Sequence, residues 1–382
     1  MCIINHIKIS GFRKLSNIDL PLRPLMVLIG ANGVGKTSFL DAYSLLSASA
    51  AGGLNSKLSH FGGLSSILTR GKASTVSFSV TMEVPGQTPL EYELNLTPKG
   101  TGYAVSREVL SQSKEGNNGV FQHIDSKDRD IRYFEIEKEL LIRPTWEHNP
   151  LETSLFQVPK MFRQPEELRR IIGTATQYHL LDVGQRAPVK LPQQMKPAEL
   201  PGADGEDLIS FLYYLRESNK ERFSAIEDTL RAAFPSFESL RFPPVAAGML
   251  TLTWKDRNFS KPFFINELSE GTLRFLWLVS LLQSPGLSPV TMIDVPEVSL
   301  HPDLLSLLAD LMREASQRTQ LIVATHSDRL IRYLEPNEVV VMDSDDNGCT
   351  TVQWGDTLDL AEWLTEYSLD ELWRMGRMGG RS

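Results

Sequence analysis

The sequence has 382 residues, 41% of them hydrophobic and 23% charged, the balance of an ordinary globular protein long enough for one large α/β domain or two smaller ones. Lys and Arg number 39 against 47 Asp and Glu, a net charge of −8, which excludes a generally basic nucleic-acid-binding surface and leaves local patches, the best being Lys160, Arg163, Arg169 and Arg170. Cys2 and Cys349 form no CxxC pair, no signal-peptide core opens the chain, and the longest apolar run, Phe275 to Leu282, is too short to cross a bilayer, so a cytoplasmic protein without disulfide, zinc site or membrane span is expected.

Residues 2–9 and 25–29 are predicted strands, and the second runs into a glycine-rich loop and a helix from about Lys36 to Leu46. From Thr75 to Leu110 the segments VSFSVTMEV, LEYELNL and YAVSREVL alternate apolar and polar residues, the pattern of an antiparallel meander. Residues 111–160 are polar and turn-rich. Amphipathic helices are predicted near 164–175, 204–216 and 218–233, and the prolines of LPQQMKPAELPG at 191–202 mark a connector. Beyond Met249 the expected order is strand 249–254, helix 269–283, strand 289–294, helix 302–315, strand 319–324, a short helix and strand 337–342. Such alternation implies an α/β fold with a mostly parallel sheet flanked by helices.

Gly30-Ala-Asn-Gly-Val-Gly-Lys-Thr37 matches GxxxxGK[ST] between a predicted strand and a predicted helix, the context that motif requires. Its glycines let the backbone wrap phosphates, and amides at a helix start point their dipoles at negative charge. Lys36 supplies a mobile cation for β- and γ-phosphates. Thr37 offers a hydroxyl to Mg²⁺, which also needs a carboxylate.

Asp294, ending the apolar run VTMID before Pro296 and His301-Pro302, is the candidate carboxylate; the plain alternative is a helix-capping aspartate. Leu268-Ser-Glu-Gly-Thr272 opens an apolar helix, so Ser269 is either an ordinary N-cap or part of a second anion-attracting helix start. The strand LIVAT ends in His326, where α/β sheets place ligand groups.

These segments, in this order, resemble the ABC-type ATPases of the SMC, RecF and OLD group. IKISGFRKLSNIDLPLRPLMVLIGANGVGKTSFLDA is similar to that group's N-terminus, LSEGT to its signature, TMIDVPEVSLHP to its Walker B and D-loop, and ATHS to its histidine switch. The resemblance implies ATP and Mg²⁺ as ligands. It assigns nucleotide contacts to Arg13, Asn32, Gly33, Val34, Gly35, Lys36, Thr37, Ser38, Ser269 and Gly271, metal contacts to Thr37, Gln157 and Asp294, and catalytic roles to Lys36, Glu297 and His326. It further implies a homodimer closed around ATP, with Ser269 of one subunit reaching the γ-phosphate held by the other's Lys36.

The expected organisation is an N-terminal ATPase lobe with P-loop and antiparallel β meander (1–110), an insertion that is loop-rich and then helical (111–245), a C-terminal ATPase lobe (246–356) and a C-terminal helical tail (357–382). In that tail Trp363, Tyr367, Leu369, Leu372 and Trp373 form an apolar stripe, explained by core packing or by a partner.

One position departs from the group. Where its members carry a water-orienting glutamate after the Walker B aspartate, this chain has Val295, which can neither orient nor polarise water. Glu297 is the nearest substitute. Slow hydrolysis and a long-lived closed dimer are therefore expected.

The expected function is an ATPase subunit gating a separate effector such as a nuclease, or a DNA-directed activity, in anti-phage defence or DNA repair. Nucleic acid stays open as a partner. With 56 residues after His326 in the 382, a fused TOPRIM domain does not fit. The alternative is a non-hydrolysing ATP-dependent switch or scaffold. A small-molecule kinase would have no need of the signature or the histidine switch.

Overall fold

Alternation of buried and solvent-facing residues along VSFSVTME builds the strand Val76–Glu83, and the same period-two pattern recurs in its neighbours. A computed structural model describes residues 3–113, 119–128, 130–135, 140–145, 147–359, 363 and 366–378. The chain divides into two units: Met1–Thr176 with Pro336–Tyr367 and Leu372–Ser382, and Gln177–Glu335 with Ser368–Glu371.

In the first unit, β1 (Ile3–Phe12), β2 (Leu15–Pro21), β4 (Val76–Glu83), β5 (Leu90–Lys99), β6 (Gly102–Ser113), β7 (Val120–Lys127), β8 (Tyr133–Glu135) and β9 (Leu140–Ile142) form an eight-stranded sheet ordered β2-β1-β4-β5-β6-β7-β8-β9. Every pair in it is antiparallel. β3 (Leu25–Ile29), buried at all five residues, instead pairs in parallel with β18 (Val339–Ser344), and β19 (Thr350–Trp354) closes a hairpin on β18.

The helix α1 (Lys36–Ala51) follows β3 and ends at Gly52, whose φ of 79° suits a helix stop. α2 (Leu54–His60), α3 (Leu64–Ile67), α4 (Ser154–Gln157) and α5 (Arg163–Gly173) complete this unit. Phe156 of α4 lies against Gly52, where an added Cβ would come within 2.3 Å of the ring.

The second unit begins within β10 (Thr176–Tyr178). A short pair, β11 (Gln193–Gln194) with β13 (Met249–Leu250), accompanies the helices α6 (Leu208–Ser218) and α7 (Lys220–Ala233). β12 (Phe237–Arg241), β14 (Thr253–Asp256) and β15 (Phe263–Phe264) form an antiparallel sheet. α8 (Glu270–Leu282), β16 (Val290–Asp294), α9 (Leu304–Ser316), β17 (Gln320–Ala324) and α10 (Asp328–Ile331) then alternate, with β16 and β17 parallel and in register from Val290↔Gln320 to Asp294↔Ala324. α11 (Leu369–Arg374) lies in the tail.

The expected mostly parallel sheet is corrected by this topology: parallel pairs occur at β3–β18 and β16–β17, but the largest sheet is antiparallel throughout. The meander runs well past Leu110, because β6 continues to Ser113 and the polar stretch after it supplies β7 to β9. The 110/111 boundary thus falls inside a strand. In the tail, Leu369 and Leu372 are buried while Trp363 is 37% exposed, so packing accounts for part of the apolar stripe; residues 360–362, 364, 365 and 379–382 lie outside the described residues, as does Cys2. Among the described residues no helix is long and apolar enough to cross a membrane.

Candidate functional site

The loop Gly30–Gly35 takes its shape from backbone angles that only glycine adopts freely. Gly30 has φ 151° and Gly35 φ 118°. A Cβ on Gly30 would sit 2.2 Å from the Met342 carbonyl oxygen, and one on Gly35 2.7 Å from Thr350 Oγ1. Thr350, on β19, secures the loop from outside: its hydroxyl donates to the Val34 carbonyl at 2.6 Å and its amide to the Lys14 carbonyl at 3.0 Å. The Val34 side chain is buried, so any contact it makes with a nucleotide is through the backbone. Lys36 Nζ donates to the carbonyls of Gly30 at 2.7 Å and Ala31 at 2.9 Å. Asn32, Gly33 and Thr37 are exposed on the open side, with Ser38 half-buried. Gly35 caps α1 without a side-chain hydrogen bond, leaving first-turn amides available to an anion. A nucleotide's phosphates fit this cradle.

Beside the loop lies a cavity of about 480 Å³ lined by Arg13, Lys14, Arg70, Lys72 and Cys349 among others. Arg13 holds φ 49° at the β1–β2 turn, donates to Asp41 Oδ2 of α1 at 2.6 Å, and stacks 5.2 Å from the Phe12 and Phe61 ring centres. Lys14 Nζ lies 3.9 Å from the space a Gly33 Cβ would occupy. Lys72 Nζ approaches Cys349 Sγ at 3.0 Å. Hydrogen bonds from Ser16 and Lys72 hold the Cys349 thiol below the ordinary thiol range.

The second unit carries its own cluster at the ends of β16 and β17. Asp294 pairs with Ala324, and the Val295 amide donates to the Ala324 carbonyl at 2.8 Å. Val295 itself has φ 50°, a left-handed conformation that is strained for a β-branched side chain. Glu297 Oε1 accepts from Thr325 Oγ1 at 2.7 Å and from the His326 amide at 3.0 Å. Its Oε2 is buried without a hydrogen-bond partner among the described residues, and burial raises its pKa above the usual carboxylate range. The His326 side chain is exposed.

Ser269 is the N-cap of α8 and accepts from the Thr272 amide at 3.2 Å. Gly271 permits close packing in the same unit, since a Cβ there would lie 2.5 Å from the Ser299 carbonyl oxygen. Arg274 and the Ser299 hydroxyl join the same turn to α8.

Gln157 does not sit as the sequence led us to expect. Its Oε1 accepts from the Asn149 amide, and its Nε2 donates to the carbonyls of Asn149, Glu152 and Thr153. Its amide therefore closes its own loop. α4 also packs at Gly52, the end of α1 away from Thr37, and a 16-residue helix is about 24 Å long. Gln157 thus locks its own loop, and that loop packs at the C-terminal end of α1.

Sequence reasoning overlooked Lys14, Arg70, Lys72 and Thr350. Only the basic character of GFRKL and TRGK hinted at the first three. Among the described residues no group of three or more His, Cys, Asp or Glu forms a metal cage; Mg²⁺ held by one carboxylate, one hydroxyl and phosphates needs none.

A phosphate-cradling loop between β3 and α1, on a fold of this kind, defines a P-loop nucleotide-binding protein. The chain belongs to the family described as "AAA domain, putative AbiEii toxin, Type IV TA system", whose model matches residues 25–332. Its fold is that of SMC head domains. It resembles the Smc head bound to the C-winged helix domain of ScpA (14% identity, TM-score 0.57, covering 92% of this chain and 97% of that one). It is similar also to the Smc head with an extended coiled coil bound to the C-terminal domain of ScpA from Pyrococcus furiosus (13%, 0.56, 96% and 100%). A 44-residue stretch is 43% identical to the OLD nuclease of Thermus scotoductus, covering 12% of this chain and 8% of that protein. The chain is thus an SMC/OLD-like P-loop ATPase.

Proposed function

We propose that the protein binds Mg·ATP and hydrolyses it slowly, using the bound state to dimerise and gate a partner. The observation that carries this reading is the complete loop Gly30–Thr37, whose Gly30 and Gly35 hold backbone angles and close contacts that no side chain allows while Asn32, Gly33 and Thr37 stay exposed. Lys36 would leave its two loop carbonyls for the β- and γ-phosphates, and Thr37 would hold Mg²⁺ with Asp294 as the carboxylate. Bound Mg²⁺ supplies neutralisation of phosphate charge. Arg13, Lys14, Arg70 and Lys72 line the flanking cavity with positive charge that would favour a polyphosphate in the adjoining loop.

Val295 supports slow turnover, since valine offers no acceptor for a water proton. Glu297 is a poor replacement, because its Oε1 already holds Thr325 and the turn that presents His326 and its Oε2 is buried. These two observations also support the second reading, an ATP-held scaffold that does not hydrolyse. Ser269 and Gly271 at the start of α8 would meet the partner subunit's nucleotide. A role in defence, with an effector such as a nuclease, draws on the toxin–antitoxin wording of the family's description and on the partial likeness to an OLD nuclease.

The test is equilibrium ATP binding, with size-exclusion mass in the presence and absence of Mg·ATP. Binding that Lys36→Ala abolishes, together with an ATP-dependent doubling of mass that Ser269→Arg prevents, is the expected result. A chain that stays monomeric when saturated with Mg·ATP contradicts dimerisation while leaving nucleotide binding intact.

A further inference from the structure

At the β7–β8 end of the first unit's antiparallel sheet lies another cavity, of about 280 Å³, which the nucleotide reading does not use. Phe121, His123, Phe134, Met161 and Phe162 wall it, and Arg163 lines it as well. The rings are set edge to face: Phe121 meets Phe134 at 4.5 Å and His123 at 4.7 Å between centres, and Phe162 meets Tyr133 at 5.2 Å. Burial pushes the His123 pKa down to about 4, so the wall is uncharged at neutral pH. Met161 is 82% exposed, and the three phenylalanines are partly open.

Beside this apolar hollow the surface is cationic. Lys160 and Arg163 are exposed, and neither has an ion-pair partner among the described residues. Other cations nearby are paired: Arg169 with Glu166 and Arg107 with Asp125, while Arg132 and Arg143 share Asp130. Positive charge at Lys160 and Arg163 that is unpaired among the described residues, beside solvent-facing rings in a chain of net charge −8, fits an anion that also carries a flat apolar group.

We propose that this cavity takes one unstacked base of a single-stranded nucleic acid, with the adjoining phosphates held by Lys160 and Arg163. Aromatic rings accept any base through its π face, and a basic border follows the backbone. A duplex keeps its bases stacked and paired, out of reach of such a hollow. An apolar peptide would fill the rings but leave both cations without a counterpart. The site is independent of ATP binding, so its failure and that of the ATPase reading are separately visible.

The test is fluorescence anisotropy of the full chain with a labelled single-stranded DNA of about a dozen nucleotides, and with RNA of the same sequence, a duplex of equal length serving as competitor. The single strand should bind more tightly than the duplex. Phe134→Leu should weaken binding about five- to a hundredfold. Arg163→Glu should weaken it and lower the salt slope by about one. Met161→Glu, on a side chain outside the core, should obstruct the cavity while the fold stays intact by circular dichroism. ATP turnover should be unchanged in all three. Absence of binding at about 100 µM protein, equal affinity for the duplex, or insensitivity to both Phe134→Leu and Met161→Glu would overturn the assignment; so would preference for a tryptophan-bearing peptide over the oligonucleotide.

Discussion

Glu297 Oε1 accepts the His326 backbone N–H at 3.0 Å and, in the same grip, the Thr325 hydroxyl at 2.7 Å. The glutamate two residues beyond Val295 therefore fixes the turn after β17. We predict that Glu297→Ala, which strands both donors, costs about 1–3 kcal/mol of stability. Glu297→Gln, which keeps a carbonyl acceptor, should cost less, as read from urea unfolding midpoints. Because burial raises this carboxyl's pKa, the folded state holds its proton more tightly than the unfolded chain. The associated stability is present below the unfolded carboxyl range and is lost as pH rises through the raised value. Glu297→Gln should flatten that decline, and an unchanged pH profile would contradict it.

Val295 holds φ 50° although its side chain is β-branched. Such strain costs on the order of 1–3 kcal/mol, and asparagine tolerates the left-handed region better. Val295→Asn should raise the thermal midpoint, whereas a lowered midpoint would show that the valine's packing outweighs its strain.

Gly271 leaves no room for a methyl group against Ser299. Gly271→Ala should destabilise the second unit by roughly 1–3 kcal/mol, measured as a lower unfolding midpoint. Full stability in that variant would show that the turn at Ser299 yields freely.

Burial depresses His123, so the unfolded chain binds a proton from about pH 6.5 downward while the folded state resists until about 4. Stability should fall as pH drops through that window. His123→Phe should reduce the slope there. A slope that does not change assigns the loss to other groups.

Lys72 stands 3.0 Å from Cys349 Sγ, and this contact together with the Ser16 hydroxyl lowers the thiol's pKa. Cys349 is buried, so the comparison is between variants: alkylation by iodoacetamide at pH 7.5 should be slower in Lys72→Met than in the unsubstituted chain. Equal rates in the two proteins would remove Lys72 as a cause.

Much of this was legible in the sequence where a function rests on consecutive residues. The glycines, Lys36 and Thr37 are adjacent, and the backbone they need follows from residue type. VTMID and LIVAT are read as buried strands because all but the closing Asp294 are apolar or small, and the structure places them at Val290–Asp294 and Gln320–Ala324. The support from Thr350 to Val34 joins residues 316 apart, and no local pattern announces such a pair. β7 to β9 escaped notice because they are short or strongly polar: VFQHIDSK takes its strand form from pairing with β6 rather than from its own propensity. A glutamine such as Gln157 reads alike whether it binds a metal or locks a loop; its four hydrogen bonds all lie within eight residues, yet no residue pattern in that stretch announces them.

The central claim is that Val295 keeps an intact P-loop ATPase slow, and steady-state ATP turnover of this chain beside Val295→Glu and Lys36→Ala tests it most directly. Turnover should be slow in this chain, rise by up to about 10²–10⁴ in Val295→Glu, and vanish in Lys36→Ala. Brisk hydrolysis by the unsubstituted chain, unchanged by Val295→Glu and still abolished by Lys36→Ala, would contradict the account.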